Sequence, residues 1–300
     1  MPLLNSLVVA VLPLIPKSIV GKVAKRYIAG TQLSDAVHSV QTLNQNSITA
    51  TMDLLGEDVT NIEEVEVVKK GILSILKAIQ ENKLGSGVSV KPTQLGLKLD
   101  KELAYQNIKT IIKEAAQSGI FVRIDMEDSS TTDATLSLYR RLKVEGLRNT
   151  GAVIQACLKR SESDIRALVK ENADFRLCKG IYDESPSIAF KGRQEIRDNY
   201  LKLLRIILEN GSQVGIATHD DFLIDGAQKL LQEMHTTHGK YEFQMLLGVR
   251  EKKRAEIVRA GHRLRVYIPF GGQWYAYSTR RLKENPLMAW YITKAIFIRS

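Results

Sequence analysis

Short apolar runs recur eight times along this sequence, at 48–55, 88–90, 121–126, 152–157, 175–178, 214–218, 241–247 and 264–270. Stretches of helical periodicity separate them. Val65, Val68, Ile72, Ile75, Leu76 and Ile79 share one helical face, as do Ile108, Ile111, Ile112 and Ala115. Asp100 is placed to cap the second of these helices and Gly119 to stop it. Eight strand–helix units over about 250 residues predict an α/β chain of the (β/α)8 TIM-type barrel class. An open doubly wound sheet would carry a glycine-rich turn after its first strand. The nearest candidate, Gly85-Ser86-Gly87, instead precedes a strand. The expected division is a helical N-terminal extension over 1–44 and a barrel domain over 45–300.

Composition narrows the function. At 44% hydrophobic and 25% charged residues, the chain of 300 has enough apolar material for a large core, which excludes disorder. Cys157 and Cys178 are its two cysteines, too few for a disulfide scaffold or a four-cysteine zinc site. The net charge of +10 is spread among many acids, without the aromatic-interleaved basic array that stacks bases, so no nucleic-acid partner is expected. Residues 3–15 are apolar but broken by Pro13, with no basic start, so they read as neither signal peptide nor membrane span. Lys17, Lys22, Lys25 and Arg26 with Ile19, Val20 and Val23 form a short basic amphipathic stretch. It reads first as a helix capping the main domain, and second as a contact for an anionic bilayer surface.

Barrels of this class carry their sites at the carboxyl ends of the strands. Polar residues stand near every such end: Asp53 and Glu57, Lys91, Asp125 and Glu127, Gln155, Arg176 and Lys179, Thr218-His219-Asp220, Glu242 and Gln244, and Tyr267. One polar residue there is ordinary. The whole set suggests a binding site, because polar groups buried without partners are costly. Paired arginines Arg280-Arg281 add a guanidinium match for a carboxylate, pointing to a small anionic substrate. His235 and His238 have a spacing that metals use, but no third ligand accompanies them, so no metal is expected.

Several runs together resemble one family. They are Lys91-Pro92-Thr93-Gln94-Leu95-Gly96, Arg123-Ile124-Asp125-Met126-Glu127, Arg176-Leu177-Cys178-Lys179-Gly180, Ala217-Thr218-His219 and Glu242-Phe243-Gln244-Met245-Leu246. Val266-Tyr267-Ile268-Pro269 and Tyr277-Ser278-Thr279-Arg280-Arg281-Leu282 follow. In this order they resemble proline dehydrogenase, the flavin-dependent first enzyme of proline catabolism, in its single-function bacterial form. The likeness runs from about residue 29 to residue 286. It implies FAD held on the carboxyl face of the barrel. Lys91, Arg280 and Arg281 would bind the proline carboxylate, with Asp125, Tyr267 and Tyr277 around the ring. Arg176 would lie beside the reactive part of the flavin. Met126, Gln155, Lys179, Gly180, Ile181, Thr218 and His219 would hold the cofactor, with Gln244 and Leu247 as looser contacts. Cys157, Cys178 and Asp220 depart from the family's usual aromatic, aliphatic and Asn.

The resemblance further implies hydride transfer from proline C5 to flavin N5, giving Δ1-pyrroline-5-carboxylate, with Asp125 and Arg176 the catalytic pair. It implies a quinone acceptor, a cytoplasmic protein with peripheral contact at the inner face of the membrane, and coupling to a pyrroline-5-carboxylate dehydrogenase. Two rivals remain from the residues alone. One is a Schiff-base aldolase using Lys91 or Lys179; the other is a barrel that binds a carboxylate without turnover.

Overall fold

A computed structural model describes residues 21, 24, 26–56, 59–275, 277 and 278. Among them eight parallel strands close into a barrel in sequence order: β1 (Thr49–Leu54), β2 (Ser86–Val90), β3 (Val122–Ile124), β4 (Thr150–Gln155), β5 (Asp174–Cys178), β6 (Gln213–Ala217), β7 (Tyr241–Leu246) and β8 (Leu264–Phe270). Pairing of β1 with β8 completes the ring. The expected barrel class is the observed one.

The helices follow from local signals. Asn61 accepts from the Glu64 amide to start α2 (Ile62–Glu81), and Asp100 accepts from the Leu103 amide to start α3 (Lys101–Gln117). Gly119, at φ +65°, takes the left-handed turn that ends α3 while the Ile120 amide bonds back to the Ala115 carbonyl. Both helices bury the faces read from the sequence, each large aliphatic being worth about 1.5–3 kcal/mol as an upper bound. The circuit continues with α4 (Thr132–Val144), α5 (Ser161–Leu168), α6 (Arg193–Glu209), α7 (Asp221–Glu233) and α8 (Glu251–Arg259).

Helix α1 (Leu33–Asn44) precedes β1, and its Ala36 and Val40 join the core against β8 and β1. It covers the seam where a regular barrel places the helix after β8. Tyr277, after β8, packs instead with Ala24, Tyr27, Ile28 and Leu55.

The strands alternate strongly. Met52, Val88, Ile124, Ile154, Phe175, Leu177, Ile216, Phe243, Val266 and Ile268 are buried in the core cluster shared with the helices. The intervening residues bond across the barrel interior, Arg176 on β5 reaching Asp125 past β4 and Ser89 past both β3 and β4. The interior is therefore polar, whereas branched aliphatics usually fill it. That inversion positions the site.

Candidate active site

The centre of the carboxyl end is a four-residue ionic cluster. Lys91, immediately after β2, places Nζ 2.5 Å from Asp53 Oδ1 of β1 and 3.6 Å from Asp125 Oδ2, just beyond β3. Asp125 Oδ1 accepts from Arg176 Nη1 at 2.7 Å and from the Ser89 hydroxyl at 2.7 Å. Its Oδ2 accepts from the Tyr267 hydroxyl at 3.0 Å. The Arg176 guanidinium carbon also lies 5.2 Å from the Tyr267 ring centroid, a cation–π contact. Lys91, Asp125, Arg176 and Tyr267 were all expected at the site, and the barrel brings them together.

Their ionisation follows from burial against pairing. Burial opposes the Asp125 charge, but Arg176, Lys91, Ser89 and Tyr267 outweigh it, so its carboxyl titrates below the usual range. Burial also opposes charge on Lys91, yet Asp53 and Asp125 raise its ammonium well above the ordinary lysine value. Asp53 is different: burial dominates over Lys91 and raises its carboxyl, and its Oδ2 is buried without a hydrogen-bond partner. Tyr267 is raised far by burial and by both carboxylates, so it stays a neutral donor. An aldolase lysine must shed its proton to attack a carbonyl. Lys91, held charged between two carboxylates, does not fit that rival.

The neighbouring strand ends supply a second group. Met126 is buried beside the cluster, and Gln155 donates to the Glu127 carbonyl at 2.8 Å. Lys179 is 41% exposed and lies 3.5 Å from Asp220. Gly180 has φ +95°, and a β-carbon there would overlap the Cys157 sulfur, so this turn requires glycine. Ile181 leaves its aliphatic side chain half exposed. Thr218 is buried, and His219 Nε2 accepts from the Leu246 amide at 2.8 Å, which fixes its proton on Nδ1. Asp220, at the departure from the family pattern, is gripped by Arg197 through both carboxylate oxygens. Burial pushes the Cys178 thiol up to about 12 and raises Cys157 as well, so neither is a thiolate near neutral pH.

Several expectations need correction or fall elsewhere. Glu242 is not at the carboxyl end: it lies in the first half of β7, pairs with Gly215 in register, and is held by Arg265 at 2.5 Å. The run 121–126 yields a strand of three residues; Asp125, whose amide still donates to the Val90 carbonyl, and Met126 lie just beyond it. His238 bonds to the Tyr241 hydroxyl, and among the described residues no cluster of three metal-ligating groups occurs. Arg280, Arg281, Glu57 and most of the basic N-terminal stretch lie outside the described residues. Tyr277 is near enough to act electrostatically on Tyr267. Sequence reasoning named Asp53 only as a strand end and missed Ser89. Their signal was present: polar Thr49, Thr51 and Asp53 alternate with apolar residues, as do Ser89 and Lys91.

Together the fold and cluster define a (β/α)8 barrel with a partly buried, charge-balanced recognition site at its carboxyl face. A family model described as proline dehydrogenase matches residues 36–289. Proline dehydrogenase 1 of Bacillus subtilis is 37% identical over 273 residues, 91% of this chain and 90% of that protein. Proline dehydrogenase of Deinococcus radiodurans is 31% identical, covering 91% and 89%. Among solved structures, proline utilization A from Bdellovibrio bacteriovorus, inactivated by N-propargylglycine, superposes with a TM-score of 0.82 at 23% identity. The match covers 92% of this chain but only 34% of that longer one. The chain belongs to the proline dehydrogenase family, and is an oxidoreductase of proline catabolism.

Proposed function

We propose that this barrel oxidises L-proline to Δ1-pyrroline-5-carboxylate on FAD held at its carboxyl face, and that the electrons pass to a membrane quinone. The reading is carried by the partly buried Lys91–Asp125–Arg176–Tyr267 cluster, whose members stand at the family's motif positions. The donor set beside it suits the cofactor. Arg176 Nη2 has no partner among the described residues, and Lys179, Gly180 and Ile181 present a cation, a close backbone approach and an apolar side chain. Met126, Gln155, Thr218 and His219 would complete the cradle. FAD, when bound, supplies the acceptor for a hydride from proline C5.

Charge accounting assigns the remaining roles. Two carboxylates already balance two cations in the described cluster. A third carboxylate, from the substrate, needs further positive charge. Arg280 and Arg281 supply it, with Lys91 contributing through the face not committed to Asp53. Asp125 fixes Arg176, Lys91 and Tyr267 at once, so it sets the geometry on which orientation of the ring depends. Arg176 places a permanent cation where negative charge develops. A helical N-terminal extension over 1–44, whose α1 packs on the 45–300 barrel domain, a cytoplasmic location with peripheral contact at the inner membrane face, and delivery of product to a pyrroline-5-carboxylate dehydrogenase belong to the same proposal. Among the described residues, no helix is long and apolar enough to cross a membrane.

Tyr267 would fill the space that a ring hydroxyl needs. Tyr267→Ser is therefore expected to slow proline turnover while raising the relative rate with hydroxyproline; an unaltered preference between the two would remove the steric account. The cluster also bears on pH. Asp125 is lowered and Lys91 raised, so both keep their charges from below the ordinary carboxylate range to above the ordinary lysine range. The substrate amine must be neutral to lose a hydride, and Asp53, raised by burial, gains its proton before Asp125, so both act to lower turnover towards low pH. The rate of reduction by proline, followed across pH, should drop on the acid side; a flat profile from mildly acidic to basic pH contradicts this. The function itself is tested by supplying L-proline and an artificial electron acceptor and trapping the pyrroline with an aromatic amino-aldehyde. Trapped product supports the reading, and borohydride-dependent labelling of Lys91 or Lys179 by a keto acid, without pyrroline, overturns it.

A further inference from the structure

The Arg176 guanidinium is held from below as well as from the side. Its Nε donates to Gln244 Oε1 at 2.7 Å, a bond that is buried. Gln244 Nε2 in turn donates to Glu242 Oε1 at 2.7 Å, and Glu242 is clamped by Arg265 through Nε at 2.5 Å and Nη2 at 3.2 Å. Burial would raise the Glu242 carboxyl, but Arg265 and the bonds to it prevail and hold it low, so it acts only as an acceptor. An amide beside an obligate acceptor must turn its NH2 towards it. Its carbonyl then necessarily faces Arg176. Strand β6 separates β5 from β7, and the contact across it exists because position 215 is glycine: a β-carbon there would overlap the Gln244 amide.

We propose that Gln244 is a positioning residue for Arg176, and that Glu242, one layer deeper in the barrel, dictates the orientation of its amide. Both ends of the Gln244 amide are engaged by protein groups. The bond fixes the guanidinium plane, and so directs Nη2, while Asp125 and Ser89 hold Nη1. The catalytic consequence rests on the reading of Arg176 as the cation beside the flavin; the positioning itself does not.

The test uses the full-length protein as purified. The Arg176 Nε–H resonance, assigned by its loss in Arg176→Lys, should exchange slowly with solvent in the wild type. Gln244→Leu should speed that exchange about tenfold or more and lower kcat about tenfold, the equivalent of one lost hydrogen bond of about 1.4 kcal/mol, with KM for proline within about twofold. Gly215→Ala, which leaves every hydrogen-bonding group in place, should do the same by displacing the amide, and serves if the leucine variant does not fold. The exchanged pair Glu242→Gln with Gln244→Glu should restore protection of the Nε–H. An Nε–H that is unprotected in the wild type, or unaffected by both single variants, overturns the proposal even if the flavin reading holds. A protein that takes up no flavin but shows the exchange pattern overturns the flavin reading and supports the positioning.

Discussion

Replacing Lys91 with methionine should lower kcat/KM for proline by about a thousandfold and destabilise the fold by about 3–5 kcal/mol. The size follows from what the ammonium separates. Asp53 is buried and Asp125 partly buried, and Nζ is within 3.6 Å of each. Methionine fills the space but leaves Arg176 as the one cation on the described cluster. Asp53, already raised by burial, would escape by holding its proton to higher pH still. The sign is then fixed. A carboxyl whose folded pKa lies above its unfolded value costs stability as pH rises through the folded value, so the defect should be smallest in acid and grow towards neutral pH. Urea unfolding of Lys91→Met at a series of pH values measures this. Adding Asp53→Asn should recover much of the stability without recovering turnover, because the neutral amide relieves the buried charge but supplies no cation for the substrate. Equal activity in Lys91→Met and wild type would show that the lysine merely balances Asp53.

Arg176→Met should have the second largest effect, a fall in kcat of about 10²–10³ with a much smaller change in KM for proline. The guanidinium touches Asp125, Ser89 and Gln244, and none of these is a carboxylate-binding group for the substrate in the proposed arrangement. Its loss removes charge stabilisation near the reacting atoms while the carboxylate clamp stays intact. Steady-state kinetics with proline as varied substrate separate the two parameters. A rise in KM with kcat preserved would place Arg176 in the clamp instead.

What could be read from the sequence divides along a physical line. The barrel was legible because each strand buries one face against a helix: Val88 and Val90, Phe175 and Leu177, or Val266 and Ile268 alternate with polar neighbours, and α2 and α3 keep their apolar faces at helical spacing. The residues at Lys91, Asp125, Arg176 and Tyr267 were legible as strand-end polar groups, and the family motifs named them. Depth along a strand was not. Glu242 and Gln244 are two residues apart and face the same way, yet one belongs to the layer of Arg265 and the other to that of Arg176. Glycines were mute for the same reason. Gly215 matters through Gln244 and Gly151 through Arg123, partners on other strands that no local pattern reveals. Asp53 read as one polar strand end among eight, although its pairing with Lys91 is the shortest ionic contact in the site cluster.

The proposed function requires the barrel to grip proline against a flavin. Its most direct test is the visible absorbance spectrum of the purified full-length protein, recorded without oxygen before and after adding L-proline. A yellow flavin band that bleaches on addition is the expected result. A colourless protein, or a band that proline leaves unchanged, would contradict it.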